Sequence, residues 1–479
     1  MQPDARPDAR RFAADSGKAL ANGSLRRNLH HAMHTIRNRR NERFAELEDG
    51  AALQWIGNAI KQRALAALPE LLEQLEARLS ERGVQVHWAE TPAQANGIVL
   101  EIARRRGVEL VVKGKSMVSE ETGLNHFLAE QGIAAVEADL GEFIVQLAGQ
   151  TPSHIVVPAV HMSRQEIATL FHRVLGEPYT DDVAALTALA RRVLREKFQA
   201  AGMGLTGVNF AVAETGTLAL VENEGNGRMV TTVPPVHVAL MGLEKVVPRL
   251  ADVAPLVRLL TRSATGQPIT TYFNWLSSPR RPGERDGPEE VHVILLDNGR
   301  SAIYSDEELR ETLDCIRCGA CLNICPVYSR IGGHAYGSVY MGPIGKILTP
   351  QMAGLDAAGH LAGASTLCGA CYEVCPVRIP IPSLLLRLRA EGVQPTAAGR
   401  AWLAGTGSRR SAGEAMVWKG WRVVHDRPAL YRLVTGLLGA LGAHLPARLG
   451  PARAWSAARE LPRPARHSLH ALLKDRPGA

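Results

Sequence analysis

The chain has 479 residues, of which 46% are hydrophobic and 21% are charged. These values are those of an ordinary soluble protein, and they argue against an intrinsically disordered chain and a membrane-embedded bundle. The length predicts two or three domains. The formal net charge of +8 arises in residues 393–479, which carry 14 Lys and Arg against 4 Asp and Glu. No nucleic-acid-binding module accompanies this basic region, so we expect no nucleic-acid partner.

The N-terminal segment MQPDARPDARRFAADSG lacks the apolar stretch of a secretion signal. No part of the sequence approaches the roughly 18 consecutive apolar residues of a membrane span. We therefore expect a cytoplasmic protein. The basic C-terminal region suits docking on an acidic partner or on the inner face of the membrane, and a solvated charged surface is the alternative.

The predicted elements begin with an N-terminal helical arm over residues 1–80, in which leucines recur three or four positions apart. An α/β domain follows over residues 81–300, where short apolar runs alternate with helical patterns and predict a mostly parallel sheet. The predicted strands are Val84–Trp88, Glu109–Val112, Ala134–Glu137, His154–Val157, Val208–Ala213, Thr217–Val221, Val236–Met241 and Val291–Leu296. Residues 301–391 form a helical cysteine-bearing domain, and residues 392–479 form the basic C-terminal region.

All seven cysteines lie in two motifs between residues 315 and 375. The first motif has the C-x2-C-x2-C-x3-C-P spacing of a bacterial ferredoxin, in which three thiolates cap one cluster and the fourth reaches a second cluster. Because a tight loop presents only three thiolates to one cube, we expect the two motifs to exchange their last cysteines. The predicted ligands are Cys315, Cys318, Cys321 and Cys375 for cluster 1, and Cys325, Cys368 and Cys371 for cluster 2.

The second motif departs from the ferredoxin pattern because Ser365 stands three positions before Cys368, where a cysteine is expected. We expect two [4Fe–4S] clusters, but the sequence does not identify the fourth ligand of cluster 2. A serine alkoxide, a water molecule or a partner's side chain would complete a four-iron cluster. A [3Fe–4S] cluster is the other alternative.

Three other roles for the cysteines compete with iron–sulfur ligation. Disulfides are disfavoured because seven is an odd number and the cytosol keeps thiols reduced. Structural zinc prefers paired C-x2-C knuckles with four ligands per ion. Buried apolar cysteines would not follow this spacing.

Gly202, Gly204 and Gly207 match the dinucleotide fingerprint G-x-G-x-x-G. The motif follows a predicted helix and leads into a strand, which is the reverse of the order that places a phosphate on a helix N-terminus. We therefore expect no nicotinamide site there.

The segments KGKSMVSEETGL, EADLGEFIVQ, PSHIVVPAVH, GLTGVNFAVAETGT and ENEGNGR within residues 113–228 resemble the lactate-utilization (LUD) domain. With the two cysteine motifs and the basic C-terminal region, the chain resembles the LutB/LldF family of iron–sulfur subunits of the bacterial L-lactate utilization complex. The resemblance implies a LUD fold like that of CoA-transferases and sugar isomerases. It also implies that the family pattern is likewise one cysteine short in the second motif.

This resemblance further implies an electron-transfer role beside two other subunits in the oxidation of L-lactate to pyruvate, with a respiratory-chain or membrane-surface acceptor. Two alternatives are that the LUD domain is itself the dehydrogenase or a ligand-binding module, and that the complex acts on another 2-hydroxy acid such as glycolate. No catalytic residues can be assigned. Polar residues at predicted strand ends that could line an anion cleft are Lys113, Lys115, Ser116, Glu120, Glu121, Asn125, Glu137, Asp139, His154, His161, Asn209, Glu214, Thr215, Glu222, Asn223, Glu224, Asn226 and Arg228. The equally weighted alternative is that the Glu and Asn residues among them cap helices and form turns.

Overall fold

The computed structural model describes residues 7–393, 403, 411–441, 465, 469 and 473. The chain divides into two compact units, Met1–Gly407 and Ser408–Ala479. The strands of the first unit are β1 (Gln85–Ala89), β2 (Leu110–Lys113), β3 (Ala134–Glu137), β4 (Met203–Thr206), β5 (Phe210–Val212), β6 (Thr217–Glu222), β7 (Val236–Gly242), β8 (Val246–Val247), β9 (Tyr272–Leu276) and β10 (Glu290–Leu296).

The α-helices of the first unit are α1 (Ala9–Ala21), α2 (Gly23–Ala45), α3 (Gly50–Ala66), α4 (Leu68–Glu81), α5 (Pro92–Arg105), α6 (Met117–Glu121), α7 (Leu124–Glu130), α8 (Leu140–Leu147), α9 (Arg164–Leu175), α10 (Val183–Ala200), α11 (Asn226–Val230), α12 (Val253–Thr265), α13 (Arg300–Ser305), α14 (Ala320–Ile324), α15 (Tyr328–Ile331), α16 (Gly342–Ala353), α17 (Leu355–Gly363), α18 (Ala370–Glu373) and α19 (Ile381–Glu391). Short 3₁₀ helices cover Leu243–Lys245, Leu250–Asp252, Leu309–Asp314 and His334–Tyr336.

The predicted N-terminal helical segment is a series of four helices, α1 to α4. Asn22 caps α2 by accepting a hydrogen bond from the Leu25 amide, and Asp49 caps α3 by accepting one from the Ala52 amide. Pro69 lies in the first turn of α4, where its missing N–H leaves no helical hydrogen bond unmade. These start signals divide the apolar periodicity into separate helices.

Six parallel strands form the main sheet in the order β1-β10-β7-β4-β2-β3. Side chains alternate between its faces, so Val111 and Val238 share a core with α5 and α7. On the opposite face Val112 packs with α8, α9 and α10, while Met241 and Val293 pack with α3 and α4. The mostly parallel α/β fold is confirmed.

A second, four-stranded sheet has the order β8-β5-β6-β9. Only the β5–β8 pair is parallel, and the other two pairs are antiparallel. The sequence analysis did not predict β8 or β9.

The predicted strand at His154–Val157 is wrong, because this segment is an irregular loop. Its apolar residues reflect burial rather than sheet pairing: Ile155 is buried against the cysteine-bearing helices. A short apolar run does not distinguish these two environments.

The glycines of the dinucleotide-like motif serve packing. The motif lies along β4 and its two ends, so no helix follows it in the order that phosphate binding requires. A Cβ atom on Gly204 would lie 2.0 Å from the Val230 carbonyl oxygen, and one on Gly207 would lie 3.1 Å from the Ser116 hydroxyl oxygen. Glycine is required here by the close approach of neighbouring segments.

Residues 309–391 are helical, as the sequence predicts for this two-cluster module. Their core includes Leu322, Tyr328, Leu361 and Leu384, and it extends to residues of α1, α2 and α3. The N-terminal helices therefore contribute to the core of the cysteine-bearing region.

The described part of the second unit contains helices α20 (Ala412–His425) and α21 (Pro428–Leu441). Trp421 stacks on His425 with ring centroids 4.0 Å apart, and His425 contacts Tyr431 of the next helix. Most of the predicted basic region over residues 392–479 lies outside the described residues. Among the described helices, none combines the length and the hydrophobicity needed to cross a membrane.

Candidate iron–sulfur site

The two cysteine motifs adopt one local backbone, repeated 50 positions apart. Arg317 and Leu367, which precede Cys318 and Cys368, both have positive φ, at 61° and 54°. Gly319 and Gly369, which follow the same two cysteines, have φ of 75° and 85° and cap the short helices α14 and α18. The left-handed residues on both sides of each cysteine curve the backbone into a tight loop.

Four cysteines line one cavity: Cys315, Cys318 and Cys321 from the first motif and Cys375 from the second. The remaining lining is almost entirely apolar and includes Ile155, Ile316, Ile344, Val377, Ile379 and Ile381. This set of four thiols is the one that the sequence assigns to cluster 1. An apolar lining of this kind limits the access of solvent to the sulfur atoms.

The loop after Thr151 covers this cavity. His154 is fully buried. Its Nε2 lies 3.0 Å from Oδ1 of Asn323, which comes between Cys321 and Cys325 in the sequence. The amides of Val156 and Val157 donate to its Nδ1, so the proton is on Nε2. Burial lowers the pKa of His154 to about 3. His154 was predicted to line an anion cleft, but it lies instead against the first cysteine motif.

Helices α2 and α3 hold the segment around Cys375. Gln54 Nε2 donates to the Cys375 carbonyl at 2.9 Å, and Arg40 donates to the Val374 carbonyl at 3.0 Å. Asn58 donates to the Val377 carbonyl at 3.0 Å. These side chains fix the one cysteine of this set that comes from the second motif.

A buried ion network begins beside Cys315. The Arg317 guanidinium pairs with Glu244 at 3.0 Å, and Glu244 also pairs with Arg300 at 2.6 Å. Arg300 continues to Glu121, which accepts a hydrogen bond from the Tyr340 hydroxyl. Although Glu244 is buried, the two arginines hold the pKa of its carboxyl group well below the usual range.

Further cations surround the cluster 1 cysteines. Lys61 is buried and donates to the Glu244 carbonyl at 2.6 Å. Burial and the charge of Arg317 lower the pKa of Lys245 to about 8. The buried Arg40 lies close enough to Cys318 and Cys375 for its positive charge to stabilise thiolates there. The surroundings are thus suited to a group that carries negative charge.

Cys325, Cys368 and Cys371 form the second group of thiols. Burial, and then electrostatic interaction with the neighbouring Cys325 and Cys368, raises the pKa of Cys371 to about 11, which indicates that the three side chains are neighbours. Cys325 Sγ accepts a hydrogen bond from Lys346 Nζ at 3.5 Å. Cys368 is exposed, which distinguishes this group from the first one, whose four thiols are buried or partly buried.

Backbone amides donate to several of these sulfur atoms. The Arg317 amide donates to Cys315 at 3.4 Å, the Tyr328 amide to Cys325 at 3.5 Å, and the Ile379 amide to Cys375 at 3.3 Å. Hydrogen bonds to sulfur are one of the determinants of cluster reduction potential.

The thiols fit iron–sulfur ligation in chemistry and grouping. Burial raises the pKa of Cys318 to about 12, and it raises the pKa of Cys321 and Cys375 well above the usual range, so these thiols keep their protons unless iron displaces them. Within the described residues, no three His, Cys, Asp or Glu side chains converge closely enough for a single metal ion. The fit is therefore judged from the donors and the apolar cavity around them.

Some of the polar residues of the α/β domain meet where β2 and β3 end. Lys113 is fully buried and pairs with Glu137 at 2.6 Å and with Glu120 at 3.4 Å. Lys115 pairs with Glu142, whose pKa is raised to about 7 by burial. The positive charges at this edge of the sheet are paired with carboxylates of the same domain.

Asn125 also joins this group, because its side-chain amide donates to Glu137 at 2.7 Å. Several of the other polar residues lie elsewhere. Glu222 caps α11 through the amides of Gly227 and Arg228, and Glu214 accepts from the Leu250 amide. His161 lies beside Ser153 and contacts the ring of His334. The predicted list therefore divides among several separate environments.

Sequence reasoning missed the ion network of Arg317, Glu244 and Arg300 and the contacts from Arg40, Gln54 and Lys61. The contact of Gln54 with Cys375 spans 321 positions, and the contact of Arg40 with Val374 spans 334. The one available signal was Arg317, because it lies inside the first motif.

Three family models match the chain. A LUD domain matches residues 72–296, a 4Fe-4S dicluster domain matches residues 311–379, and "Lactate utilisation protein B, C-terminal" matches residues 387–477. The dicluster match supports iron–sulfur clusters as the cofactor of the seven cysteines.

The relatives include lactate utilization protein B of Bacillus licheniformis, which is 39% identical over 475 residues and covers 97% of both chains. The protein of the same name from Bacillus thuringiensis is 42% identical over 426 residues, covering 88% of this chain and 87% of the relative. A crystal structure of a duf162 family protein from Deinococcus radiodurans covers 48% of this chain and 98% of its own, with 17% identity and a TM-score of 0.27, which is too low to support an argument. With identity of this level over nearly its whole length, the chain belongs to the lactate utilization protein B family.

Proposed function

We propose that this chain is the iron–sulfur electron-transfer subunit of a multi-subunit complex that oxidises L-lactate to pyruvate and so allows lactate to serve as a carbon source. The observation that carries the proposal is the division of the seven thiols. Four of them, from both motifs, line one apolar cavity, and the other three form a separate group. The name of the relatives supports the metabolic context.

Two [4Fe–4S] clusters are proposed, one held by Cys315, Cys318, Cys321 and Cys375, the other by Cys325, Cys368 and Cys371 with a further ligand. When bound, such clusters supply one-electron transfer at a potential set by charge, hydrogen bonds and solvent exposure. The chain contributes amide donors to the sulfur atoms, cations around the first site, and walls that exclude water. Lys346 is the buried cation beside the second site.

The proposed partners are two other subunits of the lactate utilization complex and a respiratory-chain or membrane-surface acceptor. Exposure of Cys368 supports the second site as the one that faces a partner, because electron transfer between proteins requires a short path to the surface. The domain division at residues 80, 300 and 391 is part of the proposal.

The chain purified under anaerobic conditions, with its clusters reconstituted, tests this function. Iron and sulfide near eight per chain are expected. L-lactate alone should leave the visible absorption of the clusters unchanged, and addition of the partner subunits should bleach it. Bleaching by L-lactate without partners would contradict a pure electron carrier.

A ligand-binding or dehydrogenase role for the LUD domain is the second candidate. It is favoured by the position of the Lys113 group at the carboxyl ends of parallel strands, where open α/β sheets bind ligands. The bleaching experiment separates the two roles, and growth of a deletion strain on lactate or glycolate identifies the acid.

A further inference from the structure

We propose that the Ser365 hydroxyl oxygen is the fourth protein ligand of the second cluster, at the corner where the second motif lacks a cysteine. This inference rests on the proposed function, because it requires Cys325, Cys368 and Cys371 to hold that cluster. It assigns the ligand that the sequence left open between the serine, a water molecule and a partner's side chain.

The first argument is the repetition of backbone contacts. In the first motif the amide of Leu322 donates to the Gly319 carbonyl at 2.9 Å, and the amide of Cys325 donates to the Leu322 carbonyl at 3.1 Å. Fifty positions later the amide of Tyr372 donates to the Gly369 carbonyl at 2.9 Å, and the amide of Cys375 donates to the Tyr372 carbonyl at 3.2 Å. With the matching positive φ values, these contacts align the two loops residue by residue and place Ser365 in the position of Cys315.

The second argument is the direction of the serine side chain. In the first loop the Arg317 amide donates to Cys315 Sγ at 3.4 Å. In the second loop the Leu367 amide donates to Ser365 Oγ at 3.2 Å. Donor and acceptor are two positions apart in both loops, so the hydroxyl oxygen is held where the first motif holds a ligand sulfur atom.

The third argument is that the backbone of Ser365 is anchored from another helix. Arg389 of α19 donates to the Ala362 carbonyl at 2.9 Å and to the Ser365 carbonyl at 3.0 Å. The side chain therefore projects from a fixed point, as a ligand must if its position is to be set before iron binds.

Ligation replaces the Ser365 O–H bond by an Oγ–Fe bond, and the proton passes to solvent together with any water that occupied the iron. No electron is transferred in this step. An alkoxide is a harder donor than a thiolate and favours the more oxidised iron. We therefore expect the reduction potential of this cluster to rise when the oxygen is replaced by sulfur.

The test uses the full chain, reconstituted with iron and sulfide without oxygen, in four forms: unmodified, Ser365→Ala, Ser365→Cys and Thr366→Ala. Thr366 is the adjacent exposed residue and serves as the matched control. Iron content, electron paramagnetic resonance and redox titration are the readouts, and the signal of the first cluster reports whether the fold is intact.

Ser365→Ala should lower the iron content from about eight to about seven per chain. The paramagnetic signal of an oxidised three-iron cluster should also appear, rising from near zero to about one spin per chain. Ser365→Cys should keep all the iron and raise the potential of the second cluster alone. Thr366→Ala should match the unmodified chain in all three readouts.

The serine ligand would be overturned if the unmodified chain held about eight irons and Ser365→Ala had the same iron content, spin signal and reduction potential. The proposed function would still stand in that case. A three-iron second cluster in the unmodified chain would also overturn it. Iron near four per chain in all four forms would instead overturn the two-cluster function on which the ligand depends.

Discussion

The two cysteine loops share a backbone but differ in their surroundings. The first is enclosed by the His154 loop, by α2 and α3, and by buried cations, and Cys318 is 8% exposed. In the second loop Cys371 is partly buried, like Cys315 and Cys321 of the first, but Cys368 is exposed. The same loop conformation therefore occurs in two different environments. The loop determines where the cysteines lie, whereas residues distant in sequence determine solvent access and the electrostatic potential around them.

The largest expected effect comes from removing one ligand in each environment. Cys318→Ala should abolish cluster 1 and lower the free energy of unfolding by at least about 4 kcal/mol, the value for a ligand at a thousand times its dissociation constant. Cys368→Ala should lower it by less than half as much, because that loop is exposed. Chemical denaturation with iron analysis measures both. Equal losses would remove the distinction between the two sites.

A second test separates the electrostatic surroundings. Lys346→Met should lower the potential of cluster 2, and Arg40→Met that of cluster 1, because losing a nearby positive charge disfavours the reduced state. A charge at about 4 Å contributes about 1 to 4 kcal/mol, depending on the effective dielectric constant. Redox titration followed by electron paramagnetic resonance resolves the two clusters. A shift of both clusters in both variants would contradict independent environments.

The smallest effect concerns pH and the loop over the first site. Burial holds the pKa of His154 at about 3, below its ordinary value of 6.5, so the residue is neutral when folded and gains a proton on unfolding. Stability is therefore full above pH 6.5 and is lost as pH falls from 6.5 toward 3, by up to about 1.4 kcal/mol per pH unit.

The cluster-free chain is the sample for this measurement, since acid also attacks iron–sulfur clusters. Urea denaturation between pH 7 and pH 5 should show a shallower pH dependence for His154→Gln than for the unmodified chain. His34→Gln, at an exposed helical position, should keep the original dependence. A full slope in His154→Gln would show that other groups cause it.

The sequence predicted those features that depend on local spacing. The alternation of strands and helices predicted the parallel sheet. The spacing grouped Cys375 with the first three cysteines, which line one cavity with it, and the exchange of ligands between two clusters stays a prediction. His154–Val157 was misassigned because a short apolar run has the same appearance in a strand and in a buried loop. Arg40, Gln54 and Glu244 could not be assigned to the site, since nothing in their local pattern indicates a neighbour hundreds of residues away.

The contact between Gln54 and the Cys375 carbonyl has a consequence for biosynthesis. Its two residues are 321 positions apart, and three of the four thiols in the first cavity come from residues 315–321. Non-local contacts of this kind form slowly, because the chain between them must first be ordered. The four thiols of the first cavity can therefore come together only after more than three quarters of the polypeptide has been synthesised.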